Sequence, residues 1–338
     1  MINYQDDWYG DLYHQSYPTS VYYQRLIEGM AALETMMHQD AELFAIKVMN
    51  SPYAEFTAEC MVQDMRALHS MHLAPELRCI AIVNAEYSAA GIAVHDFRSL
   101  IGTVDHQHYL HVLHKSIMHD LPRLRDSGRR AQNRRYTTIL KELNDLCWVN
   151  QFHSIRLDLF YDEPVRGLTS FEMLREHCEA MKKLIAEEEG LYQCIYKIEF
   201  GLHKGFHIHL WLFYEARAFQ YDSRKAHELG TRWRDEITGG LGAFYSTNLK
   251  ESREQLAASL GVSTDALCLG RVSLMQPELH MHALNLAHYL SKSEQSIPVK
   301  PNAQTQCFGV VRGASWPSVE SAAFMAHLNQ GGVSHELR

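Results

Sequence analysis

The segment Lys197–Tyr214, KIEFGLHKGFHIHLWLFY, limits the possible fold of this chain more than any other stretch. Gly201 and Gly205 bracket a short connection within it, so the pattern predicts two β-strands joined in a hairpin. Because side chains alternate along a strand, His207 and His209 project from one face with Cα atoms roughly 7 Å apart. Apolar side chains alternate with the two histidines and project from the opposite face. Two imidazoles in this arrangement suit a shared divalent metal ion.

A carboxylate on the first strand of this hairpin completes the predicted metal site. If the turn is centred on His203, Glu199 lies directly opposite His207, with Cβ atoms about 5 Å apart. Two further His-X-His patterns, at positions 106–108 and 280–282, lie in helix-like surroundings instead. Two surface histidines beside a solvated glutamate are the alternative interpretation. The strand context and the facing carboxylate favour the metal site.

Composition narrows the class of protein. The chain has 338 residues, of which 46% are hydrophobic, enough for one large domain or two smaller ones. The seven cysteines are scattered and form no Cys-X-X-Cys pair, which indicates a reducing compartment and argues against a disulfide framework or a cysteine zinc site. The first residues are acidic and lack an apolar run, and no segment is long and apolar enough for a membrane span. We therefore expect a cytoplasmic protein without a membrane partner.

The charge balance makes any nucleic-acid function depend on a local basic surface, because the net charge of the chain is −8. One basic run exists between positions 123 and 135, where six arginines accompany a single aspartate. Arg129, Arg130, Arg134 and Arg135 are the candidates from this run for contacts with DNA phosphates. A solvated helix face or linker is the alternative for the same residues.

Periodicities divide the chain into a mainly helical N-terminal region of unknown role, residues 1–145, a mixed region, 146–295, and a loop-rich extension, 296–338. In the first region they predict a helix that stops at Pro122 and a second helix from Tyr136. The elements predicted for the mixed region are a strand Ser154–Tyr161, a helix from the capping box at Thr169 to Glu189, the hairpin, a helix Ser223–Ile237, a strand Leu267–Met275 and a helix Glu278–Ser293. This order predicts an α+β fold, with a mainly antiparallel sheet and helices on one face.

The last of these helices carries a second chemical feature. At about 100° per residue, an apolar stripe along the helix lies beside a polar stripe that includes Tyr289 and Lys292, one turn apart. A phenol is a poor nucleophile at its ordinary pKa near 10, and a neighbouring cation favours the phenolate. A boundary tyrosine on a half-buried helix is the alternative. The preceding strand with two histidines favours the nucleophile.

Three stretches together resemble the motifs of the HUH endonucleases. GFHIHLWLF is similar to their His-hydrophobic-His motif, AHYLSKS to their tyrosine motif, and SIRLDLFY lies where their first-strand motif falls. The resemblance covers residues 148–295 and is closest to the single-tyrosine rolling-circle replication initiators of filamentous phages (inoviruses) and prophages. Relaxases carry the tyrosine before the histidines, whereas Tyr289 follows them, and no second tyrosine lies one turn away. The resemblance implies an HUH/RRM-like palm for the antiparallel sheet.

The resemblance also implies a mechanism. His207, His209 and Glu199 would hold one Mg²⁺ or Mn²⁺, which polarises a DNA phosphodiester. Tyr289 would attack the phosphorus in line, giving a 5′-phosphotyrosine link and a free 3′-OH that primes rolling-circle replication. Lys292 would neutralise charge on the phosphate. The implied partners are single-stranded or origin DNA and a host helicase, since the chain contains no Walker motif of its own.

Further residues of the mixed region are candidates for DNA contacts. Lys204 lies in the hairpin connection, and Arg156 shares a strand face with Asp158. Arg156 reaches the site only if its strand pairs with the histidine strand in the right register. Trp211 and Phe213 follow the histidines on the same face, where they would either stack on bases or pack in the core.

Three other functions fit parts of the pattern. A transposase of the HUH type would use the same chemistry and the same order of histidines and tyrosine. A histidine-triad nucleotide hydrolase also has an H-X-H-X-H strand, but the third position here is Trp211. A decayed initiator that only binds DNA would not need to retain His207, His209, Tyr289 and Lys292.

Overall fold

A computed structural model describes residues 36, 39–51, 54, 72–73, 79–80, 83, 101–147, 149–201, 204–292, 299–300 and 306–316. The chain forms two compact units, residues 1–131 with 295–305 and residues 132–294 with 306–338. The division predicted from the sequence, at residues 145 and 295, stays a prediction. Within the described ranges, no helix combines the length and the apolar character that crossing a bilayer requires.

Besides the first part of a long helix, the described part of the first unit includes one short helix and one small pair of strands. Helix α1 (Ala41–Met49) begins at Asp40, whose carboxylate accepts a hydrogen bond of 2.8 Å from the Leu43 N–H. An aspartate at this position satisfies a backbone donor that the helix itself leaves unpaired. Strand β1 (His72–Leu73) pairs antiparallel with strand β7 (Val299–Lys300).

Helix α2 (Val104–Leu146) is continuous where the sequence predicts two helices. It runs through Pro122 and through residues 127–128, so the predicted stop at Pro122 is wrong. An interior proline costs a helix about 3 kcal/mol through a lost hydrogen bond and a steric clash. Here buried apolar side chains line the helix on both sides of the proline, including Tyr109 and Leu113 before it and Ile139 after it. Packing of the two segments offsets the local penalty.

The second unit is built on an antiparallel sheet, as the sequence predicts, and this sheet has six strands. The strands are β2 (Phe152–Tyr161), β3 (Leu191–Gly201), β4 (Gly205–Glu215), β5 (Gly242–Ser246), β6 (Gly270–Val272) and β8 (Phe308–Arg312). Their order is β5-β2-β4-β3-β8, and β6 pairs with the start of β2. Strands β2, β3 and β4 therefore lie at the centre, and β4 has a neighbour on each side.

The helices of the second unit connect these strands. In chain order they are α3 (Glu163–Arg166), α4 (Phe171–Ala186), α5 (Asp222–Arg232), a π-helical turn (Trp233–Ile237), α6 (Lys250–Leu260), a 3₁₀ turn (Thr264–Ala266) and α7 (Pro277–Ser291). The cap of α4 is Ser170 rather than the predicted Thr169, because the Ser170 hydroxyl accepts the Met173 N–H at 3.1 Å.

Helices cover both faces of the sheet, which corrects the prediction that they lie on one. On one face, the Tyr161 ring of β2 contacts His177 of α4 and Trp233 of the π-helical turn. On the other face, Trp211 and Phe213 of β4 lie in a core cluster with apolar residues of α7 and of the last turns of α2. The physical reason is visible in β4 itself, whose side chains are buried on both faces from Gly205 to Tyr214.

Three short elements were not predicted from the sequence. Strand β5 and helix α6 lie in a stretch whose sequence reads as polar, and β8 lies in the extension predicted to be loop-rich. The predicted strand Leu267–Met275 shrinks to the three residues of β6. Strands β5 and β8 occupy the two ends of the main strand order, where each has one partner among the described strands and most of its residues are not fully buried. Edge strands of this kind carry little of the alternation that identifies a strand.

Candidate metal centre

The β3–β4 hairpin brings Glu199, His207 and His209 together. The register pairs Glu199 with His207, so the predicted pairing is confirmed, although residues 202–203 lie outside the described part of the chain. All three side chains are buried, and their ligand atoms lie within 4.8 Å of one another. Gly205 begins the second strand with φ +62°, a left-handed conformation that glycine adopts without strain. The three residues can hold a metal ion.

Hydrogen bonds fix the orientation of both imidazole rings. His207 Nδ1 lies 3.0 Å from the Gly205 carbonyl oxygen, and His209 Nδ1 lies 2.6 Å from Asp158 Oδ1. Each of these oxygens accepts a hydrogen bond, so each ring carries a proton on Nδ1. When the ring is neutral, its lone pair is therefore on Nε2. This is the arrangement that metal-binding histidines commonly have, with the outer nitrogen held by a carbonyl or a carboxylate.

The free lone pairs of the two rings converge on the same point. The two Nε2 atoms are 3.2 Å apart, and Glu199 Oε2 lies 3.0 Å from His209 Nε2 and 3.5 Å from His207 Nε2. With metal–nitrogen bonds of about 2.1 Å, the separation of the nitrogens corresponds to an angle of about 100° at the metal. Without a proton or a metal ion between them, three electron-pair donors that face each other would repel one another. The donor set therefore fits a cation bound between them.

The electrostatics of the centre favour that cation. Burial opposes ionisation of Glu199, but hydrogen bonds from His207 and His209 outweigh burial and lower its pKa. Burial likewise opposes ionisation of Asp158, and the charge and hydrogen bond of His209 more than compensate, so its pKa is also lowered. The same carboxylates raise the pKa of His209 against the effect of burial, chiefly through the charge of Asp158. A field that favours a proton at this point also favours a metal ion.

Tyr289 of α7 lies beside one of the three candidate ligands, His209. Its ring centroid is 6.0 Å from that of His209, with the rings nearly perpendicular. Two cations flank the phenol ring: the Arg156 guanidinium carbon lies 5.0 Å from its centroid and the Lys292 ammonium 6.0 Å. Lys292 stands at the end of α7 in an extended conformation rather than inside the helix as predicted. The structure thus brings together the predicted ligands, the predicted nucleophile and both cations.

Comparisons of the chain with protein-family profiles, with curated proteins and with solved structures find no match. The chemistry of the centre is therefore inferred from its own side chains.

Strand β2 supplies two further residues to the centre. It pairs with β4 in the register that the sequence analysis required for Arg156 to reach the site. Asp158 lies opposite His209 and Arg156 opposite Trp211. Arg156 is half-buried, and its Nε atom has no hydrogen-bond partner among the described residues. Lys204 donates to Asp158 Oδ2 at 2.8 Å and so reaches the centre through the partner of His209.

The two aromatic residues that follow the histidines belong to the core and not to a surface. Trp211 and Phe213 are fully buried, and the Trp211 indole N–H donates to Ser154 Oγ at 2.9 Å. Stacking of DNA bases on either ring is therefore excluded by burial. An exposed ring next to the centre is Tyr245 of β5, which is 39% exposed and has the Lys204 ammonium 5.8 Å from its centroid.

The arginine run does not form one uniform surface. Arg129, Arg130 and Arg134 are exposed on α2, and Arg129 forms a weak ion pair with Asp126 at 3.7 Å. Arg135 instead turns inward, where its Nε donates to the Ser291 carbonyl at 3.0 Å. Its contact with the end of α7 makes Arg135 a structural neighbour of the centre.

Two residues have roles that sequence reasoning did not assign. Asp158 orients His209, and Lys197 pairs with the Glu199 carboxylate. Alternation along the strands already places Asp158 with Arg156 and Lys197 with Glu199. What was missing is the pairing of β2 with β4 and the docking of α7, which no local pattern specifies.

Proposed function

We propose that this chain is a DNA-nicking and joining enzyme of the HUH type that initiates rolling-circle replication. The observation that carries the proposal is the position of the Tyr289 ring, 6.0 Å from a metal-ligand ring of the buried group Glu199, His207 and His209. Two histidines on the central strand of an antiparallel sheet, followed by a tyrosine on a later helix, also agree with the HUH/RRM-like palm that the motifs imply.

In this mechanism Mg²⁺ or Mn²⁺ held by the three ligands would draw charge from a non-bridging oxygen of the phosphodiester. The Tyr289 phenol loses its proton, and its oxygen forms a bond to phosphorus. The bond between phosphorus and the 3′ oxygen breaks, and that oxygen takes up a proton. The products are a protein joined to the 5′ phosphate through tyrosine and a strand with a free 3′-OH. Reversal of the same step on another 3′-OH joins strands.

The cations around Tyr289 support this role. The Arg156 guanidinium and the Lys292 ammonium lie 5.0 and 6.0 Å from the centroid of the Tyr289 ring. Lys292, which caps the end of α7, would neutralise charge on the bound phosphate. A tyrosine beside two cations and a candidate metal ligand fits the proposed nucleophile better than an ordinary boundary tyrosine.

Single-stranded DNA requires cations for the backbone and flat rings for the bases. Lys204 and the exposed ring of Tyr245 supply one of each beside the centre. Arg129, Arg130 and Arg134 are exposed on α2 and available to phosphates. Origin DNA is the proposed substrate, and a host helicase is the proposed partner for unwinding.

A nicking assay tests the proposal. The substrate is circular single-stranded DNA carrying a randomised insert, so that a cognate sequence is present without being known. The native protein, Tyr289→Phe and the control Tyr221→Phe, an exposed tyrosine at the start of α5, are compared with Mn²⁺, with Mg²⁺ and with a chelator. We expect metal-dependent covalent attachment to DNA 5′ ends, lost in Tyr289→Phe and retained in Tyr221→Phe.

Two results would contradict the proposal: nicking that survives Tyr289→Phe, or attachment through a 3′ end. The same assay separates the alternatives. A transposase would insert the cut strand into a second DNA, whereas an initiator leaves a 3′-OH that a polymerase extends. Hydrolysis of free nucleotides without strand cleavage would favour the histidine-triad alternative, although the buried Trp211 at its third position speaks against it.

A further inference from the structure

Lys197 is a buried cation between the candidate metal ligand and the helix that carries Tyr289. Its side chain is only 3% exposed, and its ammonium group forms an ion pair with the Glu199 carboxylate. The same ammonium donates a hydrogen bond of 2.8 Å to the carbonyl oxygen of Lys292, the residue that caps α7. One side chain therefore touches both a ligand of the centre and the end of the helix.

A second cation holds the same end of α7. The Arg135 Nε donates to the carbonyl oxygen of Ser291, the last residue of the helix. The final carbonyl groups of a helix lack partners within the helix and carry its negative dipole end, so two cations stabilise them strongly. Tyr289 lies within this last turn, and its position follows from how the turn is docked.

Lys197 differs from Arg135 in what else it contacts. A divalent ion at Glu199 and the ammonium of Lys197 both require the negative charge of the same carboxylate. Two positive charges that contact the same carboxylate repel each other appreciably even in a partly polar surrounding. Lys197 therefore weakens metal binding while it holds the helix in place, whereas Arg135 serves the helix without an ion pair to Glu199.

We propose that Lys197 is a positioning residue that couples the metal centre to the placement of Tyr289. Its effect on DNA cleavage depends on the proposed function. Its effects on metal affinity and on the docking of α7 do not. Metal affinity and helix docking should respond in opposite directions when the charge is removed, an effect that a merely structural lysine would not produce.

The test compares Lys197→Met, which is one atom shorter and removes the charge, with Lys197→Arg and with Arg135→Met. Mn²⁺ affinity is measured from the electron paramagnetic resonance signal of the free ion. Docking of the helix is measured by hydrogen exchange in the segment 284–292. In Lys197→Met we expect the Mn²⁺ Kd to fall by about tenfold and exchange in the segment to accelerate.

The companion variants sharpen this result. Arg135→Met should accelerate exchange in the same segment but lower the Mn²⁺ Kd by less than Lys197→Met does, because the charge of Arg135 acts on Glu199 without forming an ion pair with it. Lys197→Arg retains the charge and should restore the native Kd. If DNA is cleaved, Lys197→Met should lower the rate by about 100-fold despite its tighter metal binding, because misplacement of a reacting group by about 1 Å has that effect.

A Mn²⁺ Kd that rises in Lys197→Met, or an unchanged exchange rate in the segment, overturns the inference. Should that variant fail to fold, the native protein provides the test, because coupling requires Mn²⁺ itself to change exchange in the segment 284–292. No change with Mn²⁺ then rejects it. Shifts in Kd and exchange as expected, without cleavage of any DNA by the native protein, would support the coupling and reject the proposed function.

Discussion

Two halves of one strand face differ in chemistry although they are equally buried. His207 and His209 occupy the first half of that face of β4, and Trp211 and Phe213 occupy the second. The histidines are held by polar partners, among them the Asp158 carboxylate. The aromatic pair is instead held by the apolar residues of α7 and α2. The strand changes from a candidate site to core within two residues.

The difference shows that burial alone does not separate a functional residue from a core residue. What separates them is whether the neighbouring strands place acceptors or carbon atoms against the side chain. Asp158 on β2 and Glu199 on β3 face the histidine half, whereas Ile195 on β3 faces Trp211. Tyr289 lies near the border of the two halves and contacts the histidine half with its ring.

The largest expected effect is on the histidine half. His209→Ala removes one of three ligands and should weaken Mn²⁺ binding and strand cleavage by at least about 10³-fold, which is about 4 kcal/mol. Calorimetric titration with Mn²⁺ and the nicking assay measure the two effects, and circular dichroism checks that the sheet is retained. Metal binding within tenfold of the native value would show that the two halves do not differ as described.

A smaller effect is expected from the residue that orients the histidine. Asp158→Asn keeps the shape of the side chain but removes the charge that holds the His209 Nδ1 proton. Changes to such partners typically reduce metal affinity by about 10–100-fold. The same titration measures the loss. An affinity equal to that of the native protein would mean that His209 keeps its orientation without the charge of Asp158.

The smallest effect is expected from the core half, and on stability rather than on metal binding. Trp211→Phe loses the indole hydrogen bond to Ser154 and part of the buried volume, and should lower the free energy of unfolding by about 1–2 kcal/mol. Urea unfolding measures this change. The Mn²⁺ affinity should stay within twofold of the native value. A larger loss would show that packing of the aromatic half affects metal binding by the histidine half.

The hairpin could be predicted from the sequence because its signals are local. Two glycines, strict alternation and a short connection fix which side chains share a face, and the pairing of Glu199 with His207 follows from the turn. Tyr289 and Lys292 could be identified for a similar reason, since their spacing on a helix is a local property.

The rest depended on contacts between distant parts of the chain. The role of Asp158 requires the register of β2 on β4, and that of Lys197 requires the docking of α7. The helix through Pro122 and the helices on both faces of the sheet depend on packing energies that no local pattern reports. Arg135 was grouped with its neighbours in sequence, whereas the structure separates it from them by turning it inward.

The compactness of the ligand set has a consequence for the order of assembly. Glu199, His207 and His209 lie on a single hairpin, and hairpins form in about 1–10 μs. Tyr289 follows 80 residues after His209 (289 minus 209), which is several seconds of synthesis at about 5–20 residues per second. On a ribosome-bound chain, the hairpin with the three candidate ligands is therefore synthesised well before Tyr289. Under the proposed function, newly made protein would be able to bind its ion early but would be unable to cut a strand until α7 has been added.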